Sequence, residues 1–220
     1  AGQESQPYAL KALLLGSLGK IEGEGGALDE LLQAQSKDPD DYYVFQARGL
    51  TRLKQAAQID DSQASAQQLR KKEKFLGQAI SEFEQSFDKK PLVETIVNIG
   101  EARAEKARFL AARGGMEGKK QAAKERDLSI VSYADALHEF PRNVRALRGL
   151  AKVRMESGEF EAALQDLLQA QRIAPNSWEN QRWLGTLIER QALRDVTLGR
   201  AEQSIEKLQR AEKPFDPALR

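Results

Sequence analysis

The clearest pattern along the chain is a set of four positions that recurs four times. Each set has a small residue, a large apolar residue four positions later, a small residue three later, and a proline five after that. The sets are Ala27-Leu31-Ala34-Pro39, Ala79-Phe83-Ser86-Pro91, Ser129-Tyr133-Ala136-Pro141 and Ala163-Leu167-Ala170-Pro175. Spacings of four and three put the first three members on one helical face, and proline ends the helix. The pattern therefore predicts four helices that each pack closely on a neighbour.

A longer version of the pattern is clearest between Val144 and Ser177. Before the recurring set it adds a first helix and a turn glycine, marked by Leu147, Leu150, Ala151 and Gly158. In these positions the segment resembles the tetratricopeptide repeat, a unit of about 34 residues with two antiparallel helices. Arg154 stands where that family often has tyrosine, and Leu184-Gly185 begins a further copy whose second helix matches poorly.

The resemblance implies an all-α fold, a right-handed α-solenoid of about five helical hairpins. We predict a polar lead at residues 1–7 and a tetratricopeptide-like solenoid over residues 8–220. Its units are expected at 8–41, 42–91, 92–141, 142–177 and 178–213. The last unit is predicted to be a degenerate cap, with its second helix at roughly 198–213.

Two of these units are predicted to be lengthened. The last two prolines of the sets are 34 residues apart, but the earlier intervals are 52 and 50 residues. The extra residues surround a break near Asp60-Asp61-Ser62 in one unit and Arg113-Gly114-Gly115 in the next. Shared equally, they would add eight or nine residues to each helix, or about 13 Å. We expect the two lengthened hairpins to pack together and to project from one edge of the solenoid.

Composition and the candidate motifs argue against catalysis. The chain has 34 basic and 33 acidic residues, no cysteine, and a single histidine, His138, with no second ligand type beside it.

The glycines of Gly23-Glu24-Gly25-Gly26 lack a phosphate-loop lysine and are assigned to a turn. The pairs Asp40-Asp41 and Asp60-Asp61 are assigned to helix beginnings, where carboxylates cap backbone N–H groups. We therefore predict no enzyme activity, no cofactor and no metal site.

The resemblance also implies where a partner would bind, because ligands of this family contact the exposed face of the first helices. By register, this concave face comprises Glu94, Val97, Asn98, Glu101, Arg145, Arg148, Lys152, Glu179, Arg182 and Trp183. Arginine and tryptophan are common at binding hot spots. In the alternative interpretation, Trp183 only packs between helices and the arginines only solubilise the chain. The clamp for chaperone tails found in one subgroup is incomplete, since Gln46, Leu50 and Gly149 occupy three of its positions.

The sequence thus favours a non-catalytic scaffold that binds another protein or a peptide, through the concave groove or the projecting hairpins. The alternative is a binder of anionic surfaces or nucleic acid through basic runs on the lengthened hairpins. Those runs comprise Arg70, Lys71, Lys72, Lys74, Lys119, Lys120, Lys124 and Arg126. The net charge of +1, nearby acidic residues and the lack of interleaved aromatic residues argue against nucleic acid. Self-association through the lengthened hairpins or an uncovered end is a further expectation.

The polar lead from Ala1 to Pro7 leaves the compartment open. It fits the stub left by a removed export signal, a tether behind a lipidated residue, or a shortened chain. A cytoplasmic, a periplasmic and a bacterial envelope-tethered lipoprotein location are therefore all retained. No apolar stretch approaches the roughly 20 residues needed to span a bilayer.

Overall fold

A computed structural model describes residues 4–197, and every regular element within them is an α-helix, which confirms the all-α prediction. The helices are α1 (Gln6–Ser17), α2 (Ala27–Lys37), α3 (Tyr42–Ala57), α4 (Ala66–Lys89), α5 (Val93–Arg113), α6 (Met116–Glu139), α7 (Val144–Ser157), α8 (Phe160–Ile173) and α9 (Trp178–Thr197). The chain divides after Pro141 into two compact units, unit 1 before the division and unit 2 after it. The helix predicted at 198–213 lies outside the described residues.

The recurring small and large residues form the contacts between paired helices. All twelve helical members of the four sets are at most 6% exposed, which confirms the packing predicted from their spacing. Each set lies on the second helix of a pair, namely α2, α4, α6 or α8. The pairs α1–α2, α3–α4 and α5–α6 pack within unit 1, and α7–α8 packs within unit 2.

In two of the helix pairs, α3–α4 and α5–α6, the close approach of the helices depends on a glycine. A Cβ atom on Gly49 of α3 would stand 2.5 Å from the Phe83 ring. One on Gly100 of α5 would stand 3.0 Å from the Tyr133 ring. Ser129, one turn before Tyr133, donates its hydroxyl hydrogen to the Gly100 carbonyl at 2.7 Å. The large residue therefore fills the space that the missing side chain leaves open, and the small one allows the backbones to come near.

The acidic pairs begin helices in only one of the two expected places. Asp41 precedes α3, and its carboxylate accepts a hydrogen bond of 2.9 Å from the Tyr43 N–H. Asp60 instead lies in the loop before α4, where its carboxylate accepts hydrogen bonds from the side chain and the N–H of Ser62. These bonds lower the pKa of Asp60. The cap predicted at Asp60-Asp61 is wrong, because α4 begins with a capping box formed by Ser65 and Gln68.

The extra residues of the lengthened hairpins are shared unequally, which differs from the equal division we predicted. The helices α4 and α6 each have 24 residues, whereas α5 has 21 and α3 only 16. By comparison, α7 and α8 have 14 residues each. In the first lengthened hairpin, most of the extra residues that do not extend α3 lie in the loop at 58–65.

The lengthened parts of the two hairpins pack on one another, as expected. They form their own apolar cluster, which includes Phe75 and Leu76 from α4, Phe109 and Leu110 from α5, and Ala122 from α6. All five side chains are at most 8% exposed. The residues that lengthen the two hairpins therefore build a second apolar core within unit 1.

Candidate functional site

The predicted partner-binding residues of unit 1 lie on α5, and not all of them are exposed. Glu94 is exposed and Glu101 is half-buried. Asn98 is only 3% exposed, Val97 is buried beside it, and the Asn98 Oδ1 has no hydrogen-bond partner among the described residues. The exposure expected of Asn98 and Val97 is therefore not found.

A hydrogen bond from α3 reaches α5 close to Asn98. The Gln46 Nε2 of α3 donates a hydrogen bond to the Thr95 hydroxyl, one turn before Asn98 on α5. Thr95 itself is fully buried. Register alone places Asn98 and Val97 on one face of α5, but it does not predict how deeply those positions are buried.

In unit 2, α7 and α9 bring predicted residues into direct contact. The Arg148 Nη1 of α7 lies 2.8 Å from the Glu179 Oε2 of α9. It also donates to the Asn180 Oδ1 at 3.3 Å. Asn180 is fully buried, and its Nδ2 donates to the carbonyls of Ala170 and Ala174. Arg148 therefore links α7 to α9 through an ion pair and a hydrogen bond.

A cation–π pair stands on the same two helices. The Lys152 Nζ of α7 lies 4.3 Å from the centroid of the Trp183 ring on α9. Trp183 is half-buried and packs against the apolar cluster that holds Ala151, Leu184 and Leu187. Its ring therefore contributes to the core and also holds a positive charge. Trp183 therefore packs as the alternative interpretation describes, and its role in binding a partner stays a prediction.

The exposed arginines extend this arrangement. Arg145 on α7 and Arg182 on α9 are both exposed. Together with the residues described above, they form what we call the α7–α9 surface: Arg145, Arg148, Lys152, Glu179, Arg182 and Trp183. It contains four cationic side chains and one carboxylate. Such a surface is suited to recognising carboxylates.

The basic runs of the lengthened hairpins are only partly committed to internal contacts. The Lys72 Nζ lies 2.6 Å from Asp61 and donates to the Ile59 carbonyl at 3.0 Å. Arg126 is half-buried. The remaining six basic residues are exposed and have no carboxylate partner in the described part of the chain: Arg70, Lys71, Lys74, Lys119, Lys120 and Lys124. The nearby ring of Phe75 is buried and offers no face for base stacking.

The two remaining candidate motifs are the glycine-rich segment and the single histidine. Gly23 and Gly25 adopt φ values of 95° and 69° in the turn between α1 and α2, which confirms the turn assignment. His138 is exposed in the last turn of α6. Between residues 4 and 197 there is no group of three His, Asp or Glu side chains placed to hold a metal ion. Of the described helices, none combines the length and apolar character needed to cross a membrane.

A recurring ion pair between paired helices was missed by the sequence analysis. Glu30 of α2 pairs with Lys11 of α1 at 2.6 Å, and Glu82 of α4 pairs with Arg48 of α3 at 2.7 Å. In unit 2, Asp166 of α8 accepts two hydrogen bonds, of 2.8 and 2.7 Å, from Arg154 of α7. Arg154 thus replaces the packing of the tyrosine often found there with a charged contact. The available signal was an acidic residue directly before the large apolar member in three of the four sets.

Burial dominates the electrostatics of two of these carboxylates. It raises the pKa of Glu82 above its usual value, although Arg48 and Arg52 oppose the shift. The Glu82 Oε2 is buried and has no hydrogen-bond partner in the described residues, which agrees with that direction. Burial likewise raises the pKa of Asp166, against the opposing charge of Arg154.

Comparison with known proteins gives a match in structure only. No family model matches the sequence, and no curated protein matches it. Among solved structures, the chain is similar to TTC0263, a tetratricopeptide repeat protein of Thermus thermophilus, with a TM-score of 0.62 and 16% identity. That match covers 98% of this chain and 94% of the other. MamA of AMB-1 is also similar, with a TM-score of 0.56, 16% identity, and coverage of 97% and 92%. The chain therefore has the all-α fold of tetratricopeptide solenoid proteins.

Proposed function

We propose that the chain is a non-catalytic interaction scaffold whose α7–α9 surface binds an acidic peptide segment of a partner protein. The supporting observation is the Lys152–Trp183 pair on helices that also expose Arg145 and Arg182. Cationic side chains around a tryptophan favour the binding of a peptide that carries carboxylates beside an apolar or aromatic group. Because Arg148 is already held by Glu179 and by buried Asn180, that side chain loses little conformational entropy on binding.

The test is charge reversal at the two exposed arginines. We expect the Arg145→Glu, Arg182→Glu double variant to bind a fluorescent acidic peptide at least about tenfold more weakly than the wild type. Fluorescence anisotropy measures the dissociation constant. The matched control is Arg172→Glu on α8, which also reverses an exposed charge in unit 2 and should leave binding unchanged.

The same variants identify natural partners. Affinity capture from cells that make the chain, followed by mass spectrometry, should recover a protein that the Arg172→Glu control retains. The double variant at Arg145 and Arg182 should lose that protein. Equal capture by the wild type and the double variant would show that the α7–α9 surface is not the binding site.

We infer a second candidate function, binding of anionic surfaces, from the six exposed basic residues of the lengthened hairpins. Its support is that none of the six has a carboxylate partner in the described residues, whereas Lys72 does. The variant Lys119→Glu, Lys120→Glu, Lys124→Glu should abolish sedimentation with phosphatidylserine vesicles and retention on single-stranded RNA. Wild-type binding should weaken steeply between low and moderate salt, and binding that is insensitive to salt would exclude this function.

A further inference from the structure

A groove in unit 1 lies on residues that neither proposed function uses. It is open to solvent, has a volume of about 540 Å³, and runs between the last turns of α4 and α6 above the beginning of α5. Ligand sites in proteins commonly span roughly 300 to 1,000 Å³. We call it the α5 groove, defined by Phe87 of α4, Leu92, Ile96 and Ile99 at and within α5, and Asp135 and Glu139 of α6.

One side of the α5 groove is apolar. Phe87 lies in the last turns of α4, Leu92 is the residue before α5, and Ile96 and Ile99 follow on the face of α5 that forms the floor. All four side chains are half-buried, so each still offers apolar surface to the groove. Covering that surface with another apolar side chain would be favourable at about 25 cal/mol for each Å² removed from water.

The opposite side is formed by α6 and carries two carboxylates beside Ser132 and His138. Asp135 and Glu139 are four residues apart on α6 and therefore lie on the same helical face. Both side chains are exposed, and neither has an ion-pair or hydrogen-bond partner among the described residues. The lysines at the end of α4 do not neutralise them, because Lys89 pairs with Asp40 at 2.8 Å and Lys90 stands over the Tyr42 ring.

We infer that the α5 groove binds a peptide segment of a partner protein that carries one apolar anchor residue with lysine or arginine beside it. The anchor, a leucine, isoleucine or phenylalanine side chain, would pack on Phe87, Ile96 and Ile99. The neighbouring cation would pair with Asp135 and Glu139, whose charge selects against acidic segments. The open side of the groove admits the continuing peptide backbone. This site prefers the opposite charge from the one that the α7–α9 surface prefers, so the two proposals are independent.

The experiment uses the full chain with labelled isoleucine methyl groups and two synthetic peptides. Both peptides have the same central leucine, flanked in one by lysines and in the other by glutamates. In methyl NMR titrations, we expect the lysine peptide to shift the resonances of Ile96 and Ile99. The glutamate peptide should be at least about tenfold weaker at these methyl groups. Shifts at Ile188 of α9 report binding to the α7–α9 surface and keep the two proposals distinguishable.

Three variants test the assignment. Asp135→Lys with Glu139→Lys should reverse the preference between the two peptides, and it changes only exposed positions, so the helices should persist in circular dichroism. Ser132→Trp, at a half-buried lining residue, should fill the groove and abolish the shifts with both peptides. Asp127→Lys, an exposed position on the same helix, should leave the preference unchanged.

Three results would overturn the inference. The first is a lysine peptide that leaves Ile96 and Ile99 unshifted. The second is equal binding of the two peptides at those methyl groups. The third is an unchanged preference after the charges at Asp135 and Glu139 are reversed.

Discussion

The lengthened hairpin α5–α6 and the shorter hairpin α7–α8 have the same kind of packing junction and differ in the length of helix beyond it. In both, a large residue of the second helix packs near a small residue of the first: Tyr133 near Gly100, and Leu167 in the same cluster as Ala151. In α7–α8 the chain turns soon afterwards at Gly158, whose φ is 82°. In α5–α6 both helices continue and bury Phe109 before the chain turns. The fold therefore accepts added length without altering the contact that defines the repeat.

The longer hairpin also shows what makes added length stable. The extension of α5–α6 does not stand alone, because Phe75 and Leu76 of α4 pack into the same cluster as Phe109 and Leu110. Ion pairs reinforce this packing: Arg103 of α5 contacts Glu84 of α4 at 2.6 Å and Glu125 of α6 at 3.1 Å. Two lengthened hairpins side by side bury an apolar face that one alone would leave exposed.

The largest expected effect comes from removing the centre of the second core. Phe109 is 2% exposed, and Phe109→Ala should lower the free energy of unfolding by about 3–5 kcal/mol because it leaves a cavity. Urea denaturation followed by circular dichroism measures the change. Met116→Ala is the control at the turn of the same hairpin, where Met116 is 90% exposed, and its effect should stay within about 0.5 kcal/mol. Equal effects would mean that the lengthened part is not a packed core.

The lengthened hairpins also show which features of the fold can be predicted from the sequence and which cannot. The small–large–small spacing predicts the buried junction because burial on one helical face needs only local periodicity. Gly114 and Gly115 predict the end of α5 because glycine readily adopts the positive φ of a turn. In the structure both do so, at 71° and 75°. No such glycine marks the end of α3, so the unequal length of that helix was not predicted. Asn98 was placed on the correct helix but not at the correct depth, since helical register gives the face on which a residue lies and not its burial in the folded chain.

An intermediate effect should follow from adding a methyl group where the junction is closest. A Cβ on Gly49 would meet the Phe83 ring at 2.5 Å, so Gly49→Ala forces that ring or α3 to move. We expect a loss of about 1–3 kcal/mol in the free energy of unfolding, as for other overpacked cores. Gly185 of α9 is the matched helical glycine, with nothing within 4 Å of its Cβ position. Gly185→Ala should stabilise the chain by about 0.5–1 kcal/mol, and thermal unfolding of the two variants compares them.

The smallest effect concerns the buried ion pairs that the two kinds of hairpin share. Burial raises the pKa of Glu82 from its usual 4.5, so the folded chain keeps this proton to a higher pH than the unfolded chain does. The stability that comes from that proton is complete below pH 4.5 and is lost as the pH rises through the folded pKa. The free energy of unfolding of the wild type, relative to Glu82→Gln, should therefore fall as the pH rises, by about 1 kcal/mol or less.

The matching variant in the shorter hairpin is Asp166→Asn. Burial also raises the pKa of Asp166 from 3.8, so the same fall should appear over a window that begins at lower pH. Urea titrations of the wild type and both variants at several pH values measure the two slopes. A difference that rises with pH at either position would mean that the arginine partner outweighs burial there. The ion pair would then stabilise that hairpin through its charge, and the lengthened and shorter hairpins would no longer be electrostatically alike.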